Sequence, residues 1–207
     1  MSSWRSTGIT MMVLLVVVLL VAISVASVIT EETTSATTDY NIDEITDEIF
    51  NELTSYIQIK DQKGRFSEIN GEKRIEKIAL LISPMVSQEI DLSQLTIQID
   101  NGDEVRILTY NNSEKIDSKS LFEHDLWDSL NGENYGLISI VDLDDSIVDY
   151  NALTENSDNA YLVFKLPSSM TMKKYDKIFV TLFPSSGITR TTILKAPMPM
   201  SSVITFE

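Results

Sequence analysis

Residues 9–29, "ITMMVLLVVVLLVAISVASVI", contain no Asp, Glu, Lys or Arg. As a helix rising ~1.5 Å per residue the run measures roughly 31 Å, enough to cross a hydrocarbon core of about 30 Å. A cleaved secretory signal has a shorter apolar core of about 7–15 residues with a small-residue cleavage site behind it. The length therefore predicts that the segment stays in the mature protein. Only residues 1–8 precede it, carrying the single charge of Arg5, and the positive-inside asymmetry then predicts that the C-terminal bulk lies outside.

Downstream, Ile42, Ile45, Ile49, Leu53 and Tyr56 or Ile57 recur at three- and four-residue spacing, the signature of one helical face. The intervening "TEETTSATTDYN" is β-branched and of low helix propensity but has neither Gly nor Pro. A single helix from about Thr7 to Ile59, with room for a kink near Thr33 to Thr38, is the expectation. Gly64 in "DQKGRF" is the first firm stop. A helix of that length cannot bury itself in a small domain and requires partners.

Charge is unevenly distributed. The chain has 31 acidic and 16 basic residues, net −15, which argues against a general nucleic-acid binder because phosphate contacts need clustered cations. Residues 31–52 hold eight acids and no base, 60–77 six bases against four acids, and 100–150 thirteen acids against three bases. Within the acidic stretch Asp43/Asp47, Glu44/Glu48 and Glu48/Glu52 are like-charge i,i+4 pairs, each costing an isolated helix about 0.2–0.5 kcal/mol. The face of Asp43, Glu44, Asp47, Glu48 and Glu52 would gain from a neighbour's cations, and Lys60, Lys63, Arg65, Lys73, Arg74 and Lys77 are the available ones. Glu44 and Glu48 against Lys73 and Arg74 form the inter-subunit pairing expected here. No cysteine is present, so packing alone must hold the fold.

Beyond Gly71 the pattern changes to short apolar runs. Strands are predicted at about 75–82, 95–99, 104–110, 137–141, 160–166, 178–183, 188–195 and 202–206. "DNGD" at 100–103 is a hairpin turn, "NGEN" at 131–134 a loop and "PSSG" at 184–187 a Gly-ended turn. Only 118–130, "SKSLFEHDLWDSL", reads as helix or loop. Such spacing predicts an antiparallel sandwich or barrel of immunoglobulin-like size, and with the N-terminal helix an α+β fold.

Chemistry is nearly absent from the residue pattern. His124 is the only histidine, which removes Ser-His, Cys-His and zinc arrangements. No Gly-rich phosphate loop occurs. No catalytic, cofactor-binding or metal residue is expected. Asp142, Asp144 and Asp145 in "DLDD", and Asp100 to Glu104 in "DNGDE", offer oxygen ligands for a hard cation, but neither has the spacing of a known loop, so solvated turns are favoured. One glycosylation sequon, Asn111 to Ser113, falls on an expected loop after a strand, making Asn111 the N-glycan candidate. Trp4 and Trp127 read as core or interface anchors.

Three stretches carry a resemblance: "GITMMVLLVVVLLVAISVASVI" with its polar continuation, "IEKIALLISPMVSQEIDLSQLTIQI", and the closing "KIFVTLFPSSGITRTTILKAPMPMSSVITFE". Together they resemble the archaellins, the archaeal flagellins of the type IV pilin-like superfamily, over both ends of the chain. The resemblance implies a structural subunit whose N-terminal helices pack into a filament core while β domains face outward. The family's basic pair before the processing-site glycine is reduced here to Arg5, and "ITMMVLL" lacks the family's usual glycines. No acid stands between Ser6 and Thr30, unlike the glutamate near the start of bacterial pilin helices.

The expected organisation is a prepilin-type leader at 1–8, a filament-core helix at 9–59, a linker at 60–74 and an outer β domain at 75–207. Core positions are Ile9, Met12, Leu15, Val18, Leu19, Ala22, Val25 and Ile29. Expected partners are identical or sister subunits in a helical filament, the membrane that holds the precursor transiently, and the export and assembly machinery, with no nucleic acid. The location is an extracellular motility filament, the archaellum. The alternatives are an adhesive pilin and a single-pass anchored β module; the latter would need only residues 9–29.

Overall fold

A computed structural model of the chain describes residues 56–69, 71–185, 187–197 and 202–206. Of the expected helix over 9–59, residues 9–55, with the core positions and the acids Glu44 and Glu48, lie outside the described residues. Within them the regular secondary structure is almost all strand: β1 Ile57–Ile69, β2 Glu72–Pro84, β3 Ile90–Asp91, β4 Thr96–Asp100, β5 Val105–Lys115, β6 Asn134–Val141, β7 Ala152–Leu153, β8 Asn159–Lys165, β9 Lys177–Phe183, β10 Arg190–Lys195 and β11 Val203–Thr205. Helix is limited to one α turn, α1, at Ser146–Asp149 and 3-10 turns at Leu121–Glu123 and Asp125–Ser129. No helix among the described residues is long and apolar enough to cross a membrane.

The α+β, immunoglobulin-like expectation is corrected here. One nine-stranded sheet, in the order β10-β9-β4-β5-β6-β8-β2-β1-β11, replaces two stacked sheets, and β3 pairs with β7 separately. The physical reason is β5. Its first half, Val105–Leu108, pairs antiparallel with β4, and its second half, Thr109–Lys115, pairs parallel with β6. The register shifts between Tyr110 and Asn112, and such a bulge bends a strand and increases its twist. One long strand thus serves both halves, and the sheet curls instead of splitting. Gln62 on β1 and Thr192 on β10, near opposite ends of the strand order, meet side chain to side chain at 2.9 Å.

The expected linker at 60–74 is β1 and the start of β2, and the last expected helical residues, 57–59, are already strand. Gly64 does not stop an element. It lies mid-strand opposite Ile78, where an added Cβ would meet the Phe206 ring at 2.9 Å and Ile75 at 3.0 Å. Gly102 has the role its turn predicts, with φ +91° between β4 and β5.

Two apolar clusters explain the two kinds of strand. The main core lies inside the curl, with Ile78, Leu80, Ile82, Ile97, Ile99, Leu108, Leu137, Leu162, Phe164, Val180, Leu182 and Leu194. Strands β9 and β4 bury one face only, and their burial alternates, as a half-covered sheet requires. The outward face of β2, β6 and β8 is covered by the 121–130 segment, whose Phe122, Leu126, Trp127 and Leu130 pack on Ala79, Ile138, Tyr161 and Val163. Burial on both faces is why "LISI" and "AYLVF" read as continuous apolar runs. His124 pins this cover. Its Nδ1 accepts from Leu126 N at 3.2 Å, which leaves Nε2–H to donate to the Lys115 carbonyl at 3.0 Å.

Candidate functional site

Strands β6 and β8 are antiparallel neighbours, with Val141 opposite Asn159. Asp142 follows the one strand and Asp158 precedes the other, so pairing brings residues sixteen apart in sequence to one end of the sheet. Between them the chain turns through Asp144 and the left-handed Asp145 (φ 61°) into α1, then passes through β7 to the 154–158 turn. Asp142, Asp144 and Asp158 each offer a carboxylate oxygen within 4.8 Å of the others.

Protein donors satisfy part of this cluster. Asp158 Oδ2 accepts from the backbone N–H groups of Thr154 and Glu155, both at 2.9 Å. Asp144 accepts from the Thr154 hydroxyl at 2.8 Å and Ser146 N at 3.2 Å, and Asp142 from Ile147 N at 3.2 Å. Asp158 is fully buried, and its Oδ1 has no hydrogen-bond partner. Burial pushes the Asp142 carboxyl up, with Asp144 and the charge of Asp158 adding to the effect, while the Thr154 and Ser146 hydroxyls hold Asp144 down at about 2. Three acids packed together with one buried oxygen unpaired form an incomplete polar site, because a buried carboxylate needs a charge or donor opposite each oxygen.

Of the acids singled out in the sequence, Asp142 and Asp144 belong to this cluster. Asp145 instead pairs with Lys115. Asp158 was not foreseen, since only the β6–β8 register joins it to "DLDD". The Asp100 to Glu104 turn is a closed hydrogen-bonded loop: Asp100 Oδ1 accepts from Gly102 N at 2.7 Å, and Glu104 is held by Arg106 and Ser169.

The other expected sites are placed as follows. Asn111 lies within β5, at its bulge and not on a loop; its amide donates to Ser129 Oγ at 2.9 Å. Arg74 is held by Glu72 at 2.9 Å and reaches Thr171 at 3.4 Å, while Lys73 is exposed. Lys60 donates to Asn159, Lys63 to Tyr161 OH and Lys77 to the Phe122 carbonyl. Trp127 is a core anchor, stacked on Phe122 with ring centroids 5.7 Å apart.

Comparison with known proteins places this architecture. The family model for archaeal-type flagellin matches residues 6–193. Among solved structures, flagellin FlaB1 from Methanocaldococcus jannaschii is similar with a TM-score of 0.65 at 18% identity, over 72% of this chain and 95% of that one. The archaeal flagellum of Methanospirillum hungatei strain JF1 is similar with a TM-score of 0.52 at 12% identity, over 97% of this chain and 99% of that one. No curated protein matches the sequence. With a family match spanning most of its length, the chain belongs to the archaeal-type flagellins and is a structural subunit of an archaeal surface filament.

Proposed function

We propose that this flagellin passes through a membrane-inserted precursor, is handled by export and assembly machinery, and polymerises with identical or sister subunits through residues 9–29. The supporting observation is a division of labour. The β domain closes its own core from residue 57 onward, so it has no use for the uncharged run at 9–29. Gross burial of that run is on the order of 30–50 kcal/mol at ~1.5–3 kcal/mol per large side chain, a demand met by lipid or a helical bundle but not by a small domain. Deleting residues 1–38 is expected to give a soluble, monomeric protein with β-type circular dichroism. Aggregation or loss of the β signal in that truncated chain would overturn the division.

We also propose that the Asp142, Asp144 and Asp158 cluster holds a hard divalent cation of the calcium class. All donors are oxygens, the preference of such ions, and the unpartnered Asp158 Oδ1 carries the reading. A bound ion would tie the β6–α1 turn to the start of β8 and relieve the repulsion among the three acids. Adding CaCl2 at about 100 times Kd should stabilise the domain by ~2.7 kcal/mol, a rise in Tm of about 5–10 °C for this size. Asp158→Asn should abolish the rise. A Tm indifferent to CaCl2 and to EDTA would leave the cluster as a hydrogen-bonded turn.

A further inference from the structure

Cations stand in register on the outward face of the sheet. Arg65 on β1 lies opposite Lys77 on β2, and Lys77 lies opposite Lys165 on β8. Directly opposed like charges destabilise a sheet, and Lys77 is further strained electrostatically by burial, with Lys165 and Arg65 beside it holding its pKa down. Two residues along β1 and on the same face, Lys63 lies beside Tyr161, its Nζ 3.0 Å from the hydroxyl. A cleft of about 370 Å³ opens next to this row, lined by the cations Lys63 and Arg65, one acid, Glu123, and the hydroxyls of Tyr161, Ser120 and Ser202, with Leu121, Phe122 and Val203 as apolar walls. Neutralisation within the subunit is incomplete. Asp61 is 2.9 Å from Lys63, but Glu123 is 3.7 Å from Arg65, too far for a hydrogen bond, and Lys165 has no ion pair among the described residues.

We propose that this cleft receives the acidic stretch 43–52, "DEITDEIFNE", of an adjacent copy of the chain, with its carboxylates on Lys63 and Arg65. The inference rests on the filament reading, which supplies the adjacent copy. Charge complementarity selects the occupant: residues 31–52 carry eight acids and no base in a chain of net charge −15. The apolar walls suit Ile45, Ile49 and Phe50, which lie among those acids. The contact expected from sequence at Lys73 and Arg74 is placed instead at Lys63 and Arg65, because these two line the cleft and Lys73 and Arg74 do not.

The test uses the full chain. Lys63→Glu with Arg65→Glu should lower filament yield about tenfold at low salt, and adding Glu44→Lys with Glu48→Lys should restore it. The unsubstituted chain polymerised alongside checks the filament reading by itself; its failure to polymerise would sink that reading. Unchanged yield of the Lys63/Arg65 variant, beside a polymerising control, overturns the docking proposal and leaves the filament intact. Should the variant lose its β-type circular dichroism, carbodiimide coupling of unsubstituted filaments decides. An amide between Lys63 and a carboxylate of 43–52, recovered from a dimer-sized band, supports the proposal. Coupling of Lys63 only to Asp61, or only within monomer-sized chains, overturns it.

Discussion

Replacing Val18 by Asp is expected to abolish filaments. Val18 stands near the middle of the uncharged run at 9–29, where an aspartate costs about 2.5–3.5 kcal/mol on insertion into a membrane. The assembled state offers no relief, because a charge buried without a partner in a helical bundle is penalised again. On the proposed route from membrane to filament, lipid tails are as apolar as leucine, so transfer from bilayer to bundle gains little hydrophobic free energy, and close packing must favour the polymer. A margin of that kind cannot absorb a penalty of several kcal/mol. Electron microscopy of sheared cell-surface material is the measurement. Normal filaments built from the Val18→Asp chain would refute a buried apolar core.

The largest effect within the β domain is expected at Trp127. Its side chain is fully buried, stacks on Phe122, lies under the Lys77 ammonium at 4.9 Å and donates through Nε1 to the Leu121 carbonyl at 2.8 Å. Truncating such a residue to Ala costs about 3–5 kcal/mol through lost burial and the cavity left behind. For a domain of this size that is a fall in Tm of roughly 10 °C. Trp127→Phe keeps the stack, forfeits the indole hydrogen bond and should cost less. The alternative reading of residues 118–130 as a loose surface loop predicts less than ~1 kcal/mol for either change. Thermal unfolding of the chain beginning at residue 39 separates the two.

Strands whose faces differ in burial, or whose both faces are buried, were readable from residue order alone. Strands β2, β4, β5, β6, β8, β9, β10 and β11 all fall on predicted apolar runs. β1 was not, and its residues show why. In "IQIKDQKGRFSEI" the outward positions carry Lys63 and Arg65, while the inward ones include Gln62 and a glycine made necessary by Phe206. The run therefore lacks apolar alternation beyond Ile59 and continues the helical spacing of Ile49 and Leu53. β3 and β7, two residues each, are too short for any period. The single curled sheet was hidden as well, because it depends on β5 changing partner between Leu108 and Thr109 and not on any local pattern. The same limit governs the acidic site. Two of its carboxylates lie within three residues of each other and were visible, whereas Asp158 joins them through register. The basic band was legible as composition, but which cations the subunit already occupies is a matter of distance.

The place of β1 in the strand order has a mechanical consequence. The chain enters the domain through a strand paired on both sides, with β2 from Ile57 opposite Pro84 to Ile69 opposite Glu72, and with β11 at Lys63 to Arg65. Ladder bonds run perpendicular to the strands, so a pull applied ahead of Ile57 along the strand loads the β1–β2 bonds together, in shear. A pull applied at the other terminus meets β11, a three-residue edge strand with far fewer ladder bonds to share the load. Forced unfolding is governed by rate and not by equilibrium stability. Single-molecule extension against one common internal attachment point should therefore record a higher rupture force when the chain is loaded through residue 57 than when it is loaded through residue 206.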